Sequence, residues 1–195
     1  MGVGAALMKG QPHAATGAAG GVASLPVLPL LLATPHPAAV AVWVGLATIG
    51  ALLPDLDEPR STVGRRSLGA AHIVRLLAGG HREGTHDIVF APCAWLVIGT
   101  LAGVTAGNVA GADPLGWWWV GVPLAIGVAV GILGDSLTVD GVPVPGMWAL
   151  PGRTPRWGLR LFRTGNALAE GLVVALSWVA AIAVVVHVDG AGIRW

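Results

Sequence analysis

Five apolar stretches separated by polar loops set the pattern of the chain. They fall at roughly 14–34, 38–54, 87–107, 117–137 and 168–188. A helix needs about 20 apolar residues to cross a hydrocarbon core, and each stretch is near that length. The pattern predicts an all-α integral membrane bundle with about five transmembrane helices and short interfacial helices. It forms a single membrane-embedded unit over residues 1–195. Pro26 and Pro29 interrupt the first stretch, which predicts a kinked span whose freed carbonyls neighbours satisfy. That stretch also reads as a signal peptide, with Lys9 as the charged flank and Leu28–Ala33 as the apolar centre.

The polar loops carry their own pattern. In the loop at about 55–86, Leu68, Ile73, Val74, Leu76 and Leu77 alternate with His72 and Arg75, which predicts a short helix over Ser67–Ala78. The loop at about 139–166 is rich in Pro and Gly. Its end, Arg156–Arg163, mixes basic and apolar residues as a segment lying on an anionic surface does.

Composition agrees with the membrane reading. The chain is 54% hydrophobic and only 11% charged, against about 25% charged in soluble domains. Thirty glycines suit close helix packing and are compatible with a homo-oligomer. Nine Trp and no Tyr suit indole anchoring, with Trp117, Trp118 and Trp119 expected at a membrane interface. A net charge of +1 gives no basic field, so no nucleic-acid partner is expected. The lone Cys93 excludes an internal disulfide and reads as packing.

Charge then orients the bundle. Lys9 precedes the first span; Arg60, Arg65, Arg66, Arg75 and Arg82 follow the second; Arg153, Arg156, Arg160 and Arg163 follow the fourth. With five spans these segments share one side. They hold 10 of the 11 basic residues, and only Arg194 lies opposite. The positive-inside rule makes that side cytoplasmic, which predicts a multi-pass protein of a bacterial cytoplasmic membrane with its N-terminus inside.

The same side collects the polar residues that an apolar chain should lack. His13 precedes span one, Asp55 and Asp57 end span two, and His81 and His86 precede span three. Asp135 and Asp140 end span four, and Glu170 begins span five. His36, Asp113, His187 and Asp189 fall on the other side. Acids and imidazoles near a bilayer are costly and mark functional sites. Each also has a plainer reading. Asp55 and Asp57 after Pro54 read as turn residues or caps. His81 and His86 read as structural histidines, with Gly84 breaking the chain between them and Thr85 capping the next helix. Asp135 reads as a cap or an Arg partner, Glu170 as a partner of Arg163, and His72 as surface.

Taken together, these carboxylates and imidazoles form a ligand set for Zn²⁺, with Mn²⁺ or Fe²⁺ as alternatives, one or two per chain. Such ions activate water and clamp phosphoryl oxygens. Arg82, with Arg65 and Arg66 nearby, would neutralise phosphate charge; for the latter two, plain positive-inside topology is the alternative.

At Leu53-Pro54-Asp55-Leu56-Asp57 with Ser61, at His81-Arg82-Glu83-Gly84-Thr85-His86 and at Gly134-Asp135-Ser136-Leu137-Thr138 with Gly141, the chain resembles the YdjM-like membrane-bound metal-dependent hydrolases of bacteria. His13 matches an early histidine of that family. Phe162-Arg163-Thr164-Gly165-Asn166 with Glu170 resembles its actinobacterial branch. The resemblance covers roughly residues 10–175. It implies a helical membrane protein with a metal site, similar in motif logic to the all-α zinc phospholipase C and P1 nuclease group. The implied metal ligands are His13, Asp55, Asp57, His81, His86 and Asp135, and the implied catalytic residues are Asp57, His86 and Arg82. The matching His13 argues against removal of the first span.

Two positions depart from the family pattern. Gly131 stands where a histidine is common, one turn before Asp135, so Asp140 or Glu170 would substitute or one metal position is lost. Asp87 stands where serine is frequent, as an extra ligand or as an acceptor holding His81 or His86.

The expected function is hydrolysis of a phosphate ester at the cytoplasmic membrane face, on a phospholipid or other lipid-linked phosphate. The alternatives are a non-catalytic membrane protein with a structural or degenerate metal site, and a small transporter. The transporter reading is weakened because the ionisable groups sit at span ends and no inverted repeat is present.

Overall fold

The protein was analysed as a computed structural model that describes residues 10–32, 36–111, 114–150 and 154–190. Lys9, Asp113, Arg153 and Arg194 lie outside them, and the side chain of Asp189 is not described.

Helical elements stand at all five apolar stretches. Helix α1 (Gly10–Ala23) leads through a 3₁₀ turn (Leu25–Val27) into α2 (Leu28–Leu31), with a bend of 41°. Proline without an N–H forces that bend at Pro26 and Pro29. Ser24 stabilises it: its hydroxyl donates to Gly21 O at 3.0 Å and accepts from Trp43 Nε1 at 2.9 Å. The bend at Pro26 and Pro29 is therefore as expected. Helices α3 (Pro37–Leu52), α6 (Phe90–Val109), α7 (Gly121–Ser136) and α8 (Ala167–Gly190) complete the set.

Three segments are long and apolar enough to cross a bilayer: Phe90–Val109, Gly116–Ser136 and Ala167–Val188. The bent pair α1 and α2 makes a fourth if it is one span. Helix α3 has 16 residues, about 24 Å at 1.5 Å per residue, and falls short of a core of about 30 Å. Its place explains the shortness. It is the central helix, packed between α1 and α7, with Trp43, Ala47, Gly50 and Ala51 buried. Helix α6 flanks α7, and α8 lies along α1.

Small residues permit this closeness. A Cβ on Gly127 would strike the carbonyl of Ala47, and one on Gly50 would strike that of Leu124. Without a hydrophobic drive between helices in lipid, such backbone approach carries the association.

The loop before α6 holds two short helices where one was expected. Helix α4 (Thr62–Arg66) precedes α5 (Ala70–Leu77). Ser67 separates them, its hydroxyl donating to Gly64 O at 2.7 Å and accepting from Ala71 N at 3.0 Å. Leu68 and Gly69 then turn through positive φ of 51° and 91°.

The Pro- and Gly-rich loop forms a two-residue antiparallel ribbon, β1 (Val142–Pro143) with β2 (Arg156–Trp157). Beyond it, Leu159 N and Leu161 N donate to Ser136 O and Leu137 O, both at 2.8 Å. The final carbonyls of α7, which have no helical partner, are satisfied in this way. Arg156–Arg163 is thus docked on α7 by its backbone while Leu159 and Leu161 stay exposed.

At the far end of α3 and α7, Trp43 stacks on Trp119 with centroids 6.2 Å apart, and Leu28 packs beside them. Trp117 and Trp118 are partly exposed, as anchors should be, but Trp119 is core. The run Trp117–Trp119 is therefore one buried residue and two surface ones.

Candidate functional site

Helix α3 stops because Pro54 has no N–H to continue the ladder, although Leu53 before it keeps helical backbone at φ −67° and ψ −30°. The chain tightens into a 3₁₀ turn, Pro54–Asp57, which turns Asp57 fully inward. Ser61 then caps α4, its hydroxyl accepting from Gly64 N at 2.9 Å and donating to Asp55 O at 2.8 Å. After α5, Gly79 and Gly80 take positive φ, and Gly84 N returns to Ala78 O at 2.9 Å. This loop brings His81 through His86 back onto Asp57.

Asp57 is the hub. Its Oδ1 lies 2.8 Å from His81 Nδ1, and its Oδ2 accepts from Arg82 N at 3.0 Å and from the Thr85 hydroxyl. Both oxygens are thus engaged by protein. Arg82 adopts φ of 60° to make its contact, a conformation that costs free energy away from glycine and concentrates at functional sites. Burial works to raise the Asp57 carboxyl, but the hydrogen bonds from His81 and from the Thr85 hydroxyl help to outweigh it and hold it below its usual range. The hydrogen bond to Asp57 raises His81 above its ordinary value, against opposition from burial.

Thr85 fixes the next residue. A hydroxyl has one proton, and Thr85 gives it to the Asp57 carboxylate. Its oxygen, 3.0 Å from His86 Nδ1, must therefore accept an N–H from that nitrogen. This tautomer leaves the lone pair of His86 on Nε2. His86 Nε2 is fully buried, faces Asp135 Oδ2 at 3.3 Å, and neither atom has a hydrogen-bond partner. Two buried acceptors facing each other are unfavourable unless a cation or proton lies between them. Two N and O donors on one tetrahedral zinc ion stand about 3.4 Å apart, so this pair has the separation that a shared ion requires.

Other groups surround the pair. Asp55 Oδ1 is 3.9 Å from His86 Nε2, and His13 Nε2 is 3.6 Å from Asp135 Oδ1. Arg82 reaches Asp135 Oδ1 and Asp140 Oδ2, each at 3.3 Å. His81 Nε2 is 4.0 Å from Glu58 Oε2, and the His81 and His86 rings meet edge to face at 5.8 Å. Among the described residues, no three His, Cys, Asp or Glu side chains already close on one point as a metal cage. His86 Nε2 lies 3.3 Å from Asp135 Oδ2 and 3.9 Å from Asp55 Oδ1.

The structure thus gathers His13, Asp55, Asp57, His81, Arg82, His86 and Asp135 from four segments at one end of the bundle. Some individual roles differ from those expected. Asp87 touches neither histidine: its Oδ1 accepts from Val89 N and Phe90 N at 2.8 Å and caps α6, while Oδ2 accepts from Gly146 N. Thr85 therefore does not cap α6 but links Asp57 to His86. Glu170 accepts from Gly165 N at 2.6 Å, and Asp140 pairs with Arg82. Gly131 faces α3, where a Cβ would lie 2.5 Å from Ala51 O. Its small size serves helix contact, and no larger side chain fits there without moving α3. Thr85 as an orienting group and Glu58 beside His81 were missed; the only signal for Thr85 was a hydroxyl directly before a histidine.

No curated protein and no solved structure matches the chain. The sequence model of one family, described as YdjM inner membrane protein, matches residues 8–193, nearly the whole length. The chain therefore belongs to the YdjM family, as a multi-pass inner membrane protein built on an all-α bundle.

Proposed function

We propose that the chain is a metal-dependent hydrolase of phosphate esters, working at the cytoplasmic face of the membrane. The observation that carries this reading is the buried, unpartnered pair His86 Nε2 and Asp135 Oδ2, 3.3 Å apart. The orientation rests on the sequence pattern alone: with five spans, the positive-inside rule puts 10 of the 11 basic residues on the side expected to carry the site.

His86 and Asp135 would hold a divalent cation, zinc by the mixed imidazole and carboxylate donors, with Asp55 and His13 as further donors. Bound there, such an ion supplies Lewis acidity and neutralises developing phosphoryl charge. Asp57 is a positioning residue: it fixes His81, the Arg82 backbone and Thr85, and through Thr85 the tautomer of His86. Arg82 offers a planar guanidinium to a phosphate oxygen, and its exchange from Asp140 to substrate keeps the charge paired. His81 Nε2, half-exposed beside this group, can pass a proton to a leaving oxygen.

The test is turnover by purified protein in detergent, with zinc or manganese, on a series of phosphomonoesters and phosphodiesters. Hydrolysis that disappears in Asp135→Asn and Arg82→Ala is expected. Turnover unchanged in both variants would overturn the reading. A second reading, a structural metal site without catalysis, is favoured by Gly131, which contributes contact with Ala51 where a donor would stand. Bound metal without turnover on any ester would select it.

A further inference from the structure

Helix α5 is covered on one side only. Ala71 and Ala78 are buried and Val74 is half-buried, and the helix packs on the turn Pro54–Asp57. Ile73, Leu76 and Leu77 fall on another side, at the spacing that makes one helix face, and are 62%, 81% and 75% exposed. With eight residues, α5 is about 12 Å long at 1.5 Å per residue and cannot cross a bilayer. It sits where α3 ends, and so lies along the membrane surface. Charge accompanies the apolar face. Residues 59–82 hold five arginines and no acid. Of these, Arg65, Arg66 and Arg75 are exposed on α4 and α5.

We propose that α4 and α5 form a docking surface for anionic phospholipid headgroups. Ile73, Leu76 and Leu77 enter the boundary between headgroups and acyl chains, and Arg65, Arg66 and Arg75 meet lipid phosphates. A basic segment with an apolar face binds such a surface through both contributions. Guanidinium forks match phosphate oxygens, and the arginine stems cover apolar surface while the heads stay at the polar level. Charge selects this occupant over a second copy of the chain. A two-fold contact through this face would set the basic patch against itself, and like charges oppose it. Charge also selects anionic over zwitterionic lipid, because residues 59–82 carry no counter-charge of their own. Docking holds more than the helix. α5 braces the turn that ends in Asp57, and Arg75 Nη1 lies 3.9 Å from Oε2 of the next residue, Glu58. The bilayer surface thereby sets the height of the Asp57 turn. None of this depends on metal or on hydrolysis.

The experiment is electron spin resonance on the full chain in nanodiscs, with a nitroxide on Leu76→Cys and the exposed Cys93 replaced by Ala. Collisions with oxygen, which concentrates in lipid, are compared with those of a water-soluble nickel chelate. In discs of phosphatidylcholine with phosphatidylglycerol, oxygen should dominate at Leu76→Cys, as at the exposed Ile98→Cys in the middle of α6. Arg65→Gln with Arg66→Gln should lower the oxygen-to-nickel ratio at Leu76→Cys about threefold. Omitting phosphatidylglycerol should do the same, and Ile98→Cys should respond to neither change. Every substituted side chain is exposed, so the melting temperature should hold, and Ile73→Cys repeats the reading at a second position. Nickel dominating at both Leu76→Cys and Ile73→Cys would overturn the proposal. So would labels shielded from both reagents, which mark a protein contact. A ratio equally high in both lipids and indifferent to the arginines would overturn it too, because an apolar seat alone accepts any lipid.

Discussion

The two ends of α3 and α7 use burial in opposite ways. At one end Trp43 and Trp119 stack with Leu28, and the buried polar atom there, Trp43 Nε1, is paired with Ser24. At the other, Asp57, His86 and Asp135 are as deeply buried, yet His86 Nε2 and Asp135 Oδ2 lack partners. The same two helices carry both ends. A fold that can satisfy an indole N–H so simply retains unpaired acceptors only where something else pairs with them. The apolar end holds the bundle, and on the proposed reading the polar end holds a ligand.

The sharpest way to break this contrast is to damage each end separately. Trp43→Ala removes a fully buried ring and should destabilise the protein by about 3–5 kcal/mol, read as a lowered melting temperature in detergent, while metal content per folded molecule is unchanged. If Trp43→Ala also abolished metal binding, the two ends would not be separable.

Thr85→Val tests the polar end with smaller damage. It keeps the shape but removes the hydroxyl that fixes the His86 tautomer, and should weaken metal affinity about 10–100-fold, measured by competition with a chelating dye. Unchanged affinity would mean that Thr85 does not set the tautomer. Asp87→Ala should do the reverse and cost about 1–2 kcal/mol of stability through loss of the α6 cap with little effect on metal. An affinity loss as large as that of Thr85→Val would return Asp87 to the site.

The smallest effect is the pH dependence of the metal-free protein. His81 titrates above its ordinary 6.5 in the folded state, so its contribution is complete below pH 6.5 and fades as pH rises through the raised value. Asp57 titrates below its ordinary 3.8, so its contribution is complete above pH 3.8 and fades as pH falls through the lowered value. Stability from this pair should therefore be flat between pH 3.8 and 6.5 and decline on either side, and His81→Asn should remove the alkaline decline. An alkaline decline that persists in His81→Asn would assign it to another group.

Much of this arrangement was legible in the sequence, because a bilayer fixes helix length and polar residues at span ends stand out against it. Pro26 and Pro29 announced the bend in the first span. The grouping of Asp57, His86 and Asp135 followed from counting which face each span end reaches. What was not legible depends on contacts made only in three dimensions. Asp87, standing where serine is frequent in the resembling family, was expected as an extra ligand or as an acceptor holding His81 or His86, but its carboxylate is held by the backbone of Val89, Phe90 and the distant Gly146. Trp119 looked like its neighbours until it met Trp43 across the bundle. Gly131 looked like a missing ligand, and its role in the Ala51 contact depends on how closely α7 approaches α3. In each case periodicity gave the element, and a partner far along the chain decided the role.

The central claim is that the unpartnered pair at the polar end holds a divalent ion. Metal content of the purified full chain, by plasma mass spectrometry after exposure to zinc and removal of the excess, tests it most directly. At least one zinc per folded chain, lost in both His86→Ala and Asp135→Asn and retained in Trp43→Ala, is the predicted result. Zinc retained in full by both site variants, or never bound by the unaltered chain, would contradict it.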